Sequence, residues 1–406
     1  MSLSPRPFPS ADAADFGRFV RISVALFMAG FATFSLLYCT QPLLPEFAAE
    51  FRLSPAGSSL ALSLSTACLA FAILCVGALS ESIGRRRLMF CSICLAALLN
   101  LLAAVSPGWG WLLAARALEG LALGGVPAVA MAYLAEETPS RRLGLAMGLY
   151  VAGTAFGGMT GRVAIGFLAA HAGWREAMAG VALTGFLLAT GFVLLLPPSR
   201  HFVRRTGLGL DFHLKAWRRH LLHPQLPALF MIGFLAMGVF VTLYNYIGFR
   251  LVGEPWHLNH AQIGLIFMAY LSGMAASPLA GALADRWGRA AVALGGSVVM
   301  LAGMLLTLSS TLPRIICGIT LLTAGFFATH SVASAWVGRL AESHKGHASS
   351  LYLLGYYLGS SVLGSLGGWF WAEGGWGGVV YSGTALILVV VLLTFYLRNE
   401  ESSLTP

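Results

Sequence analysis

"GALSESIGRRRLMF", residues 77–90, sets one acid and three consecutive arginines between two long apolar runs, and a near copy returns as "GALADRWGRAAVAL" at residues 281–294. The chain is otherwise sparing with charge: of its 406 residues 57% are hydrophobic and 10% charged, and mean hydropathy is +0.78. Soluble domains carry about 25% charged residues, so this composition cannot cover a water-facing globule and reads as a polytopic membrane protein. A spanning helix needs roughly 20 mostly apolar residues. Twelve such runs centre near residues 31, 68, 96, 122, 156, 185, 238, 271, 298, 324, 359 and 386, and they use up nearly the whole chain.

Charge orients these spans. With the N-terminus inside, the inner tails and loops hold 19 of the 25 Lys and Arg, whereas the outer loops hold only Arg52, Arg175, Arg250 and Arg314. Such an excess places both termini in the cytoplasm. The first apolar run is too long for a signal-peptide core, so it is expected to be a retained helix. The net charge of +9 is spread over short loops rather than one patch, which argues for topology and against a nucleic-acid partner. Cys91 and Cys94 have C-x-x-C spacing but lie in an apolar run with no His or second pair nearby; like Cys39, Cys68, Cys75 and Cys317 they read as packing residues. No metal or cofactor is expected. Neither a catalytic motif set nor a phosphate-binding loop is present, so an enzyme or an ATP-driven pump is not expected.

An internal repeat decides the architecture. "FMAGF" at 27–31 returns as "FMIGF" at 230–234, offset by 203; Gly77, Leu79, Gly84 and Arg85 return at an offset of 204 as Gly281, Leu283, Gly288 and Arg289. Leu149, Tyr150, Gly153, Gly157, Gly166 and Trp174 return at an offset of 202 as Leu351, Tyr352, Gly355, Gly359, Gly368 and Trp376. Six spans are duplicated, and an even number makes the repeats parallel in the membrane. The expected organisation is a tail (1–18), a six-helix bundle (19–197), a basic linker (198–224), a second six-helix bundle (225–397) and a tail (398–406). The linker portion "FHLKAWRRHLL" reads either as a plain basic connector or as an amphipathic helix on the inner membrane surface.

The repeated loop resembles the signature of the major facilitator superfamily of transporters, G-x-L-a-D-r-x-G-r-r/k. Gly281, Leu283, Asp285, Arg286, Gly288 and Arg289 match it almost completely; the first copy keeps Gly77, Leu79, Gly84, Arg85 and Arg86 but has Glu81 for the Asp and Ser82 for the Arg. Physically, Gly77 and Gly281 would let another helix approach closely, and the acid would pair with the following arginines beside a helix dipole. The resemblance implies a latch that breaks when the two halves rock open inward. "LLYCTQPLLPEF", "GLYVAGTAFGGMTGR", "TLYNYIGFRL" and "AGFFATHSVASAWVG" are similar to one bacterial inner-membrane branch, the YnfM type, itself similar to proton-driven drug and metabolite exporters. The implied fold is all-α, twelve transmembrane helices in two pseudo-symmetric six-helix bundles, and a monomer suffices because the duplicated bundle completes its own cavity.

Ionisable groups inside a bilayer are costly and are functional candidates by default. Arg116 and Glu119 lie in the fourth span, i and i+3 on one helix face, and Arg162 lies in the fifth. At 1.5 Å per residue Glu119 and Arg162 both sit roughly 12 Å from the outer end, so they can meet at one depth, with the carboxylate held between two arginines. Arg116 and Gly120 match the family's fourth-helix pattern, with Glu119 in its usual Gln position. The expected role of Glu119 is to cycle a proton, with Arg116 and Arg162 as counter-charges and one of them holding an anionic substrate; the competing reading is a permanent ion pair locking the fourth and fifth helices. His330 in the tenth span is a second proton candidate. Tyr38 and Gln41 in the first span, and Tyr244, Asn245 and Tyr246 in the seventh, occupy corresponding depths on helices that face the central path in this family, which makes them substrate-contact candidates. "GTAFGG" (153–158) is similar to an antiporter signature with Thr154 for its Pro, and Gly153, Gly157, Gly158 and Gly161 offer a close-packing face.

These features favour proton-coupled efflux of a small organic solute, metabolite or drug, with two arginines favouring an anion. A proton symporter importing an organic acid or sugar would use the same fold and differ only in flux direction.

Overall fold

The computed structural model describes residues 11–200 and 210–403, the side chains of 11–15, 77–83, 128, 140–141, 210 and 400–403 excepted. Among the described residues the order is α1 (Ala11–Tyr38), α2 (Leu44–Glu50), α3 (Pro55–Ile83), α4 (Arg85–Ala104), α5 (Trp109–Leu123), α6 (Pro127–Glu137), α7 (Ser140–Ala172) and α8 (Trp174–Leu195). There follow α9 (Leu210–Leu221), α10 (Leu226–Val252), α11 (His260–Ile266), α12 (Tyr270–Trp287), α13 (Arg289–Leu306), α14 (Leu312–Leu340) and α15 (Lys345–Ser403). Among the described residues ten stretches are long and apolar enough to cross a membrane. The last of them is two helices joined at Gly374 and Gly375, the latter at φ 53°. The pair α5–α6 supplies one more span in two pieces, which completes twelve. That span breaks because Gly124 and Gly125 press against Ala72 and Ser92 with no room for a Cβ, and Pro127 then restarts the helix. The outward faces stay apolar, with Trp111, Leu187 and Leu194 largely exposed, as suits helices surrounded by lipid.

The two bundles repeat each other contact by contact. Gly153, Gly157 and Gly161 of α7 lie on the backbone of Phe27, Phe31 and Ser35 in α1. Gly355 and Gly359 of α15 lie in the same way on Phe230 and Phe234 in α10. Ser35 Oγ donates to the Gly157 carbonyl at 2.8 Å, a bond that the absent Cβ permits. Gly158 is a correction to the expected packing face: it is turned to the Arg162 guanidinium, whose Nη1 lies 3.2 Å from where its Cβ would be.

The signature loops owe their second glycine to backbone geometry. Gly84 at φ 96° and Gly288 at φ 88° each end one helix and start the next, a left-handed turn that costs an L-residue roughly 1–2 kcal/mol. The first glycine behaves otherwise than expected: Gly281 faces open space, with no neighbouring helix within 4 Å of a Cβ built there. Gly77 and the side chain of Glu81 lie outside the described side chains. Arg85 forks onto Glu136 of α6, with Nε–Oε2 at 2.7 Å and a second contact from Nη2 to Oε1. Arg86 reaches the Val193 carbonyl. In the second loop Asp285 pairs with Arg339 of α14 at 3.6 Å. Glu136 and Arg339 are repeat-equivalent, so the two halves use the same helix end with opposite signs.

The halves meet at the end of the molecule remote from these loops. Gly166 of α7 lies against the His260 carbonyl and Gly264 of α11, and Gly368 of α15 lies against Ala56 of α3; the repeat relates these two contacts. Gln41 Nε2 donates to Asn245 Oδ1 at 2.7 Å, and Ser361 and Ser365 bond to Ser63 at 2.7 and 2.8 Å. At the loop end, Gly144 and Gly148 near the start of α7 face open space as Gly281 does. The described contacts that join the halves thus gather at the end remote from the signature loops. Gly368→Leu is expected to wedge this seam, since overpacking a tight contact costs about 1–3 kcal/mol. Hydrogen exchange of residues 53–62 should then speed up about tenfold while the melting temperature of the bundle changes little.

The linker helix α9 rests on the second half. Ala216 and His220 are buried there and His213 Nδ1 meets His347 Nε2 at 2.9 Å. Burial pushes the His220 imidazole below its usual range.

Candidate substrate and proton site

Two arginines hold the end of α1. Its last carbonyls have no intrahelical partner, and Arg116 supplies donors: Nη1 to Leu36 at 3.1 Å and Nη2 to Leu37 at 2.6 Å. Nε of the same guanidinium donates to Ala61 of α3 at 3.1 Å, and Nη1 also reaches Asn100 of α4 at 3.4 Å and Glu119 Oε2 at 2.5 Å. Arg116 and Glu119 are both 0% exposed. The pair therefore ties together α1, α3, α4 and α5. Glu119 Oε1 is buried with no hydrogen-bond partner, although a carboxylate in such a place needs a donor, a proton or a water.

Arg162 is not the second arginine at Glu119, which corrects the expectation from depth. Its Nε donates to Gln41 Oε1 at 2.7 Å and its Nη1 to the Gly158 carbonyl at 2.7 Å. The guanidinium lies 4.1 Å over the Tyr38 ring, 4.8 Å from the Tyr270 ring and 5.3 Å from that of Phe267. It is 1% exposed. Among the described residues no carboxylate lies within ion-pair distance and Nη2 makes no hydrogen bond. Ring faces compensate a cation by about 2 kcal/mol when desolvated, well short of what a buried charge loses.

Gln41 links Arg162 to the seam, accepting from that arginine of the first half and donating to Asn245 of the second. Asn245 is fixed in turn on the Gly364 carbonyl at 3.3 Å. Tyr244 stacks on Phe267 at 5.0 Å and bonds Thr323 at 2.8 Å, so it backs the ring cage. Tyr246 is a correction: its hydroxyl donates to Gly364 at 2.9 Å and its ring lies beside Phe249 and Trp371, turned from Arg162. His330 shares a hydrogen bond with Tyr352 at 2.8 Å and sits between the Phe326 and Tyr356 rings, apart from Glu119.

Sequence reasoning missed Asn100, Phe267 and Tyr270. Asn100, a lone amide in an apolar span, carried a readable signal; its Nδ2 donates to the Met178 carbonyl at 3.0 Å. Phe267 and Tyr270 carried none, being two more aromatics in an aromatic-rich chain.

Arg116→Met is expected to cost about 3–5 kcal/mol, because it leaves Glu119 buried without its counter-charge. Thermal melting in detergent would register this as a large fall, partly restored by Arg116→Met combined with Glu119→Leu.

The sequence model of the Major Facilitator Superfamily matches this chain twice, over residues 26–253 and 229–406. The chain is 48% identical over 376 residues to the inner membrane transport protein YnfM of Escherichia coli (strain K12), covering 93% of this chain and 90% of that protein. It is 44% identical over 384 residues to the uncharacterized MFS-type transporter YybF of Bacillus subtilis (strain 168), covering 94% of each. Among solved structures, a bacterial homologue of the human lysosomal transporter Spinster superposes with a TM-score of 0.73 at 15% identity, covering 93% of this chain and 96% of that one. The nucleoside transporter NupG superposes at 0.74 with 12% identity, covering 92% and 99%. Two matches of one family model to one chain are the repeat seen in the glycine contacts, and the chain is a membrane transporter belonging to the major facilitator superfamily.

Proposed function

We propose that this transporter is a proton-coupled exporter of a small organic anion, working by alternating access between its two halves in the bacterial inner membrane. The observation that carries this reading is Arg162: a buried guanidinium between the halves, caged by rings and without a carboxylate partner. An anion arriving there supplies the missing charge and draws on Nη2. Aromatic walls at Tyr38, Phe267 and Tyr270 favour a substrate with an apolar or planar body beside its carboxylate.

Glu119 is the proton carrier in this reading, Arg116 its counter-charge and His330 a second-rank site. Coupling runs through the end of α1. Arg116 holds Leu36 and Leu37, while Arg162 holds Tyr38 and Gln41. When Glu119 takes a proton, the grip of Arg116 on the Leu36 and Leu37 carbonyls changes, and with it the position of Tyr38 and Gln41 under the anion. Gln41 passes that change to Asn245 in the other half. Loop charge supports a cytoplasmic position for both termini; with that orientation the closed end is the outer one and the conformation faces inward. In the opposite state the two signature loops, with Glu81, Arg85, Arg86, Asp285, Arg286 and Arg289, meet as a latch. The partners are a small molecule, protons and lipid; nucleic acid has no place, and a monomer suffices.

The test is uptake of organic acids, sugars and cationic dyes into inside-out vesicles with an acid interior. Gradient-driven accumulation of anions supports export. Accumulation only in right-side-out vesicles makes the protein an importer, and movement of cationic dyes alone removes Arg162 from substrate recognition.

A further inference from the structure

The end at which the halves meet contains a second ionisable pair, separate from Arg162 and Glu119. Glu46 of α2 and His260 at the start of α11 face each other across the two halves, Oε2 to Nε2 at 3.7 Å, with side chains 24% and 33% exposed. Glu46 Oε2 is itself buried and lacks a hydrogen-bond partner.

Both partners stand on backbone packed closely against the opposite half. The His260 carbonyl is pressed by Gly166, and Asn259 and Gln262 cap the helix reciprocally at 2.9 Å. Pro45, next to Glu46, lies against Gly248 of the other half. Any change in attraction between the two side chains is therefore expressed as opening or closing of the seam. The repeat provides a comparison: Glu46 corresponds to Arg250 and His260 to Ala56, and Arg250 instead bonds the Thr307 and Ser309 carbonyls within its own half. The ionisable pair belongs to one side of the seam only and is not inherited from the duplication.

The charged neighbours are few. On α2, Glu50 is engaged by Arg175 at 2.7 Å and by the Trp174 indole, both of α8. His171, at the end of α7, is bonded to its own Phe167 carbonyl at 2.8 Å. Arg250 of α10 is bonded as above, and the connection to α11 carries Glu254 and His257.

We propose that Glu46 and His260 form a proton-operated lock on the outer seam, in which an imidazolium at His260 pairs with the Glu46 carboxylate across the halves and holds that end shut. The sign follows from linkage. An imidazolium at His260 attracts the Glu46 carboxylate that faces it at 3.7 Å, so closure strengthens on acidification and is lost again when the carboxylate itself takes a proton. An acid exterior thus drives the protein toward the inward-facing state whether or not substrate is bound. Only the word "outer" rests on the orientation proposed above; a measurement in detergent, where both ends see one pH, stands apart from it.

The experiment is amide hydrogen exchange of segments 41–54 and 253–264 at pH 5.5, 6.5 and 8, each normalised to the intrinsic rate, for the wild type, Glu46→Gln, His260→Gln and Glu119→Gln. A partly exposed pair shifts such an equilibrium by roughly two- to fivefold. The wild type and Glu119→Gln should exchange about threefold more slowly at pH 5.5 than at pH 8, and both seam variants should lose that dependence while melting as the wild type does. A flat wild-type profile, or a pH dependence that survives in either seam variant, overturns the proposal. A seam variant that melts early is replaced by His260→Asn, which must also be flat.

Discussion

Replacing Arg162 by methionine is expected to weaken anion binding by at least about 30-fold and to leave the protein as stable as before or more so. Losing the charged partner of a buried ligand group costs about 2–5 kcal/mol, at about 1.4 kcal/mol per tenfold in Kd. Stability behaves differently because Arg162 has no acid to orphan. Methionine fits among Tyr38, Phe267 and Tyr270, sulfur contacts with rings are favourable, and the desolvation cost of the guanidinium disappears. The substitution does free Gln41, so the seam bond to Asn245 should loosen. Binding titration and thermal melting of the same sample check both halves of this expectation. Its contrast with Arg116→Met, where an acid is orphaned, separates a receptor charge from a structural one.

Glu119→Gln is expected to abolish gradient-driven transport while sparing exchange of substrate across the membrane. The amide keeps the volume and an acceptor for Arg116 and mimics the protonated carboxyl, so the grip on Leu36 and Leu37 is held in its protonated-state form. What is lost is the ability to titrate. Counterflow in proteoliposomes, measured with and without a pH gradient, should give near-normal exchange and no accumulation. Accumulation retained in this variant moves coupling elsewhere, with His330 next to be replaced.

Much of the fold was legible because duplication leaves a periodic trace. The offsets of 202 to 204 foretold two equivalent six-helix bundles, and the glycine ladder foretold a close helix contact, which the fold places between α7 and α1 and again between α15 and α10. The i, i+3 spacing likewise foretold the Arg116–Glu119 pair. What depth arithmetic lacked was rotation: each residue turns about 100° around a helix axis, so equal depth brought Arg162 level with Glu119 without pointing it there. The same fan of directions explains Tyr244, Asn245 and Tyr246. Three consecutive residues cannot share one face, and only Asn245 reaches across to Gln41. The break between α5 and α6 was hidden because Gly124, Gly125 and Pro127 sit in an otherwise continuous apolar run. Glu46 and His260, 214 positions apart in the chain, carry no local pattern; only the folded seam brings them together.

The most direct test of the coupled-anion account is the proton balance of substrate binding. A transported anion identified from the vesicle panel is added to purified protein in weakly buffered detergent solution near neutral pH, and the pH change is recorded for the wild type, Glu119→Gln and Arg162→Met. The account predicts a proton change of about one per bound anion in the wild type, anion binding with no proton change in Glu119→Gln, and neither in Arg162→Met. Tight anion binding by the wild type with no proton taken up or released, at any pH from 6 to 8, would contradict it.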